Sequence, residues 1–218
     1  MKTTQHITEL NETGIVTRFA PPFYQVWTKQ QLISCRLSPF TFKSETNIKN
    51  KKNNSRSPET DHNNGFPVVG DWVLLANSPE GTLITQMLPR KNRFSRRASV
   101  PGSRSFIFEQ IIAANIDRVI PVFSPAHPTP AWHMLDRYLV MAEAAGIETL
   151  ICISKADLAQ EDTKGRALDE VVNTYRALGY PVLLTSAKDG NGLDELKRHL
   201  QGSTSLLLGK SGVGKTSL

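Results

Sequence analysis

Ten consecutive residues carry the clearest chemistry in this chain: Gly209-Lys210-Ser211-Gly212-Val213-Gly214-Lys215-Thr216-Ser217-Leu218, directly behind the apolar run Ser205-Leu206-Leu207-Leu208. The spacing Gly-x-x-x-x-Gly-Lys-[Ser/Thr] after a strand is that of a phosphate-binding loop. Its glycines let the backbone curl so that successive N–H groups face one anion, and Lys215 adds a point charge for the outer phosphates. Thr216 offers a hydroxyl to Mg²⁺ and is the expected metal-binding residue. Gly209, Lys210, Ser211, Gly212, Val213, Gly214, Lys215, Thr216 and Ser217 are therefore the expected phosphate-binding residues. A flexible Gly/Ser-rich tail would share this composition, but not the strand that feeds it.

Two further turns could choose the base. In Ser154-Lys155-Ala156-Asp157 a carboxylate can accept both the ring N–H and the amino group of guanine, while the lysine stem lies along the base. Adenine offers no such pair of donors on that edge. In Ser186-Ala187-Lys188 the backbone N–H of Ala187 can donate to guanine O6, and a small side chain lets the base approach. Taken singly, Lys-x-Asp also describes a surface helix start with Asp157 as its cap. Each of the three turns follows an apolar run, and the order strand–Ser-Lys-x-Asp, strand–Ser-Ala-Lys, strand–phosphate loop is specific.

The elements that must hold these turns alternate in type. Asp117 to Phe123 reads as a strand, with Pro121 marking a weakness or bulge. Thr129-Pro130 opens a helix, with Thr129 as N-cap and Trp132, Leu135, Leu139 and Ala142 on one face, until Gly146 stops it. A strand from Glu148 to Ile153 is followed by a helix from about Arg166 to Leu178, which carries Leu168, Val171, Val172 and Tyr175 on one side. Strand Pro181 to Thr185, a short helix with Leu193, Leu196 and Leu200, and strand Ser205 to Leu208 complete the series. Alternation of this kind implies a mostly parallel α/β sheet, which binds ligands beyond the carboxyl ends of its strands.

The first half follows a different rule. Five short runs (Gly14–Phe19, Phe23–Trp27, Leu32–Leu37, Val68–Leu75 and Gly81–Met87) separated by turn-rich gaps favour a small barrel, and an OB-fold fits that count. Residues 43–65, rich in Asn, Lys, Ser and Thr, read as a polar loop at the barrel rim. Pro89 to Arg97 then brings five cations and one aromatic in nine residues. Arg90, Lys91, Arg93, Arg96 and Arg97 could neutralise phosphates and Phe94 could stack on an unpaired base, so these six are candidate RNA contacts; a solvated linker would look alike. The expected layout is an N-terminal tail over 1–13, the barrel over 14–93, a basic linker over 94–110 and the α/β domain over 111–218.

Composition bounds the partners. The 218 residues are 39% hydrophobic and 21% charged, as in globular domains, and the net charge of +6 favours an anionic partner such as nucleic acid. No apolar run reaches the ~20 residues of a membrane span, and Met1-Lys2-Thr3-Thr4-Gln5-His6 lacks a signal-peptide core, so no membrane partner and a cytoplasmic location are expected. Two cysteines and five scattered histidines give neither a disulfide framework nor metal-ligand spacing.

The three turns in this order resemble a circularly permuted GTPase, in particular the ribosome small-subunit-dependent GTPase A (RsgA) family. In ordinary GTPases the phosphate loop precedes the base-reading turns; here it follows them. The resemblance extends to Val69-Gly70-Asp71-Trp72-Val73, Leu88-Pro89-Arg90-Lys91-Asn92, Ile112-Ala113-Ala114-Asn115-Ile116-Asp117 and Ala142-Glu143-Ala144-Ala145-Gly146-Ile147-Glu148, and runs from about Gly14 to Leu218. It implies an OB barrel, a permuted GTPase domain, GTP and Mg²⁺ as ligands, and a role with the small ribosomal subunit and its rRNA in late maturation through GTP hydrolysis. A monomer is expected. Ser154 stands where the family usually has Asn, which shortens one support of the guanine site. The family's switch segments, its Asp-x-x-Gly turn and the ligands of its zinc domain are not among these 218 residues. The chain is therefore read as the N-terminal part of the family's sequence, with an incomplete GTPase domain and no catalytic residue assignable. The competing reading is a truncated, non-catalytic RNA- or ribosome-binding module. A phosphate-loop ATPase is disfavoured by Lys155-x-Asp157 and Ser186-Ala187-Lys188 together.

Overall fold

The computed structural model describes residues 8–39, 65–99, 107–159 and 168–218. The expected polar loop lies outside these except for Gly65, as does the expected helix start at Arg166. The chain forms two compact units, residues 1–115 and 116–218.

In the first unit, β1 (Thr8–Ala20), β2 (Phe23–Trp27), β3 (Leu32–Leu37), β4 (Trp72–Ser78) and β5 (Gly81–Met87) close into a barrel in the order β1-β2-β3-β5-β4. Neighbours run antiparallel except β3 and β5, which are parallel. Alternating side chains point in and out of a strand, so Tyr24 and Val26 of β2 are buried while Phe23 and Trp27 stay exposed. Val16, Tyr24, Val26, Cys35, Val73, Leu75 and Ile84 fill the interior. Fully burying an aliphatic side chain of this size stabilises by roughly 1.5–3 kcal/mol, which is what closes so small a barrel.

Of residues 94–110, expected as a linker, the described ones, 94–99 and 107–110, are strand. β6 (Arg93–Ser99) and β7 (Ile107–Ala114) pair antiparallel as a two-stranded ribbon within the first unit. Local composition hid this because one strand is cationic and its partner apolar. The base of the ribbon is tied to the barrel: Ala114 N donates to Val69 O at 2.9 Å, and Asn115 Nδ2 donates to Gly70 O at 2.8 Å. Gly70 adopts φ +92°, and a Cβ there would stand 2.0 Å from Ala114 O, so only glycine allows this approach.

The second unit contains β8 (Arg118–Phe123), α1 (Trp132–Ala144), β9 (Glu148–Thr149), β10 (Ile151–Ile153), a 3-10 turn (Ala156–Leu158), α2 (Leu168–Ala177), β11 (Val182–Leu184), α3 (Leu193–Leu200) and β12 (Ser205–Leu208). The sheet order is β11-β10-β8-β12, with β9 also beside β8, and all these pairs are parallel. Ile151, Cys152 and Ile153 are all buried because both sheet faces are covered. Ile151 and Ile153 pack with Leu135 and Leu139 of α1 and Val171, Val172 and Tyr175 of α2. Cys152 faces the other side, with Leu183, Leu196 of α3 and Val213.

Two sequence expectations change here. Helix α1 starts at Trp132, with Ala131 as its N-cap and no side-chain cap, so Thr129 is not the cap. Thr129 precedes Pro130, and the residue before proline is pushed out of the helical region. The strand expected over Glu148 to Ile153 is split into β9 and β10. Leu150 N donates to Val119 O, and the parallel ladder next needs an N–H from position 121 to reach Leu150 O. Pro121 has none, so the ladder breaks there without a bulge in β8.

Candidate nucleotide site

Because the strands are parallel, the turns leaving β8, β10, β11 and β12 emerge at one edge of the sheet. The loop after β12 begins at Gly209, where a Cβ would meet Val122 O at 2.4 Å; the start of the loop is thus pressed against the end of β8. Gly212 and Gly214 take φ +83° and +96°, the left-handed conformations that turn successive amides toward one side. Among the described residues, the N–H groups of Ser211, Gly212, Gly214, Lys215 and Thr216 donate to no other group of the chain. Lys215 Nζ donates to Gly209 O and Lys210 O, both at 2.9 Å. Its third proton remains for an anion. After the loop, Ser217 N and Leu218 N both donate to Gly214 O, at 2.9 and 3.2 Å, closing a single hydrogen-bonded turn.

The turn after β10 is tied to this loop twice. Ser154 is buried, and its hydroxyl reaches Phe123 O at 3.0 Å and also contacts Val213 O. With one proton it serves one carbonyl at a time, yet the short side chain does span from β8 to the phosphate loop. Lys155 sits at φ +52°, and its ammonium donates to His127 O at 2.6 Å and Gly212 O at 2.7 Å. The stem expected along the base is therefore also a brace. A sequence reading could not find the His127 carbonyl, since a backbone acceptor leaves no residue-type signal.

The turn after β11 meets the same turn. Ala156 N donates to Thr185 O at 2.9 Å, and Ser186 Oγ donates to Asp157 Oδ1 at 2.8 Å. Ser186 is buried and Asp157 exposed, so the hydroxyl orients a carboxylate whose remaining lone pairs face outward. Gly190 N closes the turn on Ser186 O. Ala187 and Lys188 are exposed, and among the described residues the Ala187 amide has no partner in the chain. All the sequence-predicted nucleotide residues thus fall in one connected group of turns.

The basic strip fares differently. Arg90 is held in the first unit by Asp71, with Nε to Oδ1 at 2.7 Å and Nη2 to Oδ2 at 2.8 Å, and Asp71 has no exposed surface. Phe94 is fully buried, so its ring is closed to base stacking. Arg93 pairs with Glu109 at 3.0 Å, and Arg96 Nε donates to Gln110 at 2.9 Å. Lys91 is exposed, and Arg97 is exposed with no partner among the described residues. Arg90 and Phe94 are therefore structural, and the outward cations are Lys91, Arg93, Arg96 and Arg97. Among the described residues no three His, Cys, Asp or Glu cluster as metal ligands, and no helix is long and apolar enough to cross a membrane.

A parallel sheet whose strand-end turns could hold phosphate and base, with the phosphate loop last in the chain, defines a phosphate-loop protein in permuted order. The chain belongs to the RsgA GTPase family, whose sequence profile matches residues 87–218. It is 41% identical over 152 residues to the small ribosomal subunit biogenesis GTPase RsgA of Pseudomonas aeruginosa, covering 69% of this chain and 42% of that protein. For the same-named protein of Azotobacter vinelandii the identity is 43% with the same coverage. The chain thus spans less than half the length of these relatives. Among solved structures it is similar to YjeQ from Thermotoga maritima, with a TM-score of 0.63, 31% identity, and coverage of 94% of this chain and 63% of the other. YloQ, a circularly permuted GTPase, follows with a TM-score of 0.59, 27% identity, and coverage of 100% and 64%.

Proposed function

We propose that this chain is the barrel and the nucleotide-reading part of a GTP-binding, GTP-hydrolysing factor that acts in late maturation of the small ribosomal subunit and contacts its rRNA. The observation that carries this reading is the linkage of three turns. Lys155 and Ser154 join the base-reading turn to the phosphate loop, and Ser186 joins it to Ala187. Guanine would be read by Asp157 and the Ala187 amide, and flanked by the stem of Lys155. The phosphates would lie on the amides from Ser211 to Thr216 and on Lys215. The donor set fits a nucleotide polyphosphate, since five amides without partners among the described residues and an ammonium with a proton to spare could all serve an oxygen-rich anion.

Thr216, exposed in the hydrogen-bonded turn after the loop, is the residue that would hold Mg²⁺, which supplies charge neutralisation at the phosphates when bound. What these residues do themselves is bind and orient; none is placed to activate water. The barrel order, with β3 and β5 parallel, supports an OB-fold reading. The names of the relatives support the ribosomal role and the GTPase activity; a cytoplasmic monomer belongs to the same proposal. The test is phosphate release from GTP by the full-length protein with purified small ribosomal subunits. Stimulation by the subunits that is lost in Lys215→Ala supports the reading. Equal rates with and without subunits would remove the ribosomal role.

A further inference from the structure

The turn after β11 holds a second carboxylate that the guanine reading does not use. Ser186 Oγ lies 2.8 Å from Asp157 Oδ1 and 3.3 Å from Asp189 Oδ2, and it accepts the Asp189 backbone N–H at 3.2 Å. We propose that Asp189 is a second specificity-determining residue of the base site, acting with Asp157 to favour guanine and to exclude xanthine. The inference rests on the function proposed above.

A hydroxyl has one proton, and the Asp189 N–H occupies one of its lone pairs. The proton is left for a carboxylate, and the shorter distance assigns it to Asp157. The Asp189 backbone therefore turns Ser186 toward Asp157 and fixes the carboxylate that reads the base. Among the described residues, Ser186 Oγ is the only group within hydrogen-bond distance of either carboxylate. The Asp189 side chain, exposed and left without that proton, puts a second negative charge within about 6 Å of the first.

Two carboxylates at one base edge act on the base in the same sense. The ring N–H and amino group of guanine are donors and are drawn by both charges. Xanthine presents a carbonyl in place of the amino group and is repelled by both. Replacing Asp157 alone removes only part of this field. At an exposed site the remaining effect is a few-fold in affinity and is screened by salt.

The test is a double-mutant cycle in the full-length protein, with GDP and xanthosine diphosphate as ligands, on wild type, Asp157→Asn, Asp189→Asn and the double variant at low and high salt. Asp189→Asn keeps the backbone N–H and removes the charge. It is expected to weaken GDP about threefold and, in the Asp157→Asn background, to tighten xanthosine diphosphate about threefold, both effects shrinking at high salt. Asp189→Glu is expected to restore the wild-type preference. A merely structural Asp189 would move both nucleotides in the same direction, and that result, or no change in either, overturns the proposal. Wild-type protein that binds ADP as tightly as GDP would defeat the underlying guanine reading instead, and this inference with it.

Discussion

The ammonium of Lys155 stands 2.7 Å from the carbonyl oxygen of Gly212, joining residues 57 positions apart across the edge of the parallel sheet. A residue expected to lie along the base thereby also fixes the phosphate loop. The turn after β10 and the loop after β12 are mechanically coupled, since a shift of the turn must move the loop.

Replacing Lys155 with Ala removes two charge-assisted hydrogen bonds, to His127 O and Gly212 O. Bonds of this kind contribute about 1.5–3 kcal/mol each, less where partly exposed. GDP affinity in the full-length protein is expected to fall at least about tenfold, and pyrophosphate affinity with it, because the loop itself loosens. Calorimetric titration checks both ligands. Loss for GDP with pyrophosphate unchanged would confine Lys155 to the base.

Arg90→Ala is expected to act on stability. It leaves the Asp71 carboxylate fully buried with no counterion, although Val68 N still donates to Asp71 Oδ2 at 2.8 Å. Breaking a buried pair on one side costs about 3–5 kcal/mol. Chemical denaturation of residues 1–115 within the full chain should show a lower midpoint. An Arg90→Ala protein of unchanged stability but weakened RNA binding would return Arg90 to the interface.

The RNA contacts are expected from the outward cations. Arg97→Ala should reduce the salt dependence of RNA binding by about one unit of slope if Arg97 meets a phosphate. Arg93→Ala should do less, because Glu109 already neutralises it at 3.0 Å. Filter binding across a salt series separates the two, and equal slopes for all three proteins would leave the ribbon out of the interface.

Cys35 makes stability fall in alkali. Burial, with the nearby Glu12 charge adding to it, pushes its thiol up to about 11 in the folded barrel, against an ordinary value of 9.0. The unfolded chain therefore loses this proton first as pH rises. The stabilisation is complete below about pH 9 and is lost as pH climbs through 11. Denaturation midpoints measured from pH 8 to 11 should fall less steeply in Cys35→Ala than in wild type; parallel curves would contradict this.

How much of this was legible depended on whether the determinant was local. Leu135, Leu139 and Ala142 are buried where helical spacing puts them, and Tyr24 and Val26 where strand alternation does. Each glycine of the phosphate loop marks a positive φ or a close approach, so residue type was enough. Arg90 could not be told from its cationic neighbours, because its partner Asp71 lies 19 residues away and only closure of the barrel brings them together. Phe94 read as an exposed aromatic among charges, yet strand alternation, hidden by a register shift between Phe94 and Ser95, turns it inward. The brace from Lys155 to two carbonyls left no trace in residue types at all.

The central claim, that three turns form one guanine-nucleotide site, is tested most directly by competition for a fluorescent GDP analogue bound to the full-length protein. Unlabelled GDP should displace it at least about a hundredfold more effectively than ADP, because Asp157 and the Ala187 amide match guanine alone. Asp157→Asn should weaken GDP and gain xanthosine diphosphate, since an amide can donate to the extra carbonyl. Displacement by ADP as effective as by GDP, unaltered by Asp157→Asn, would contradict the account.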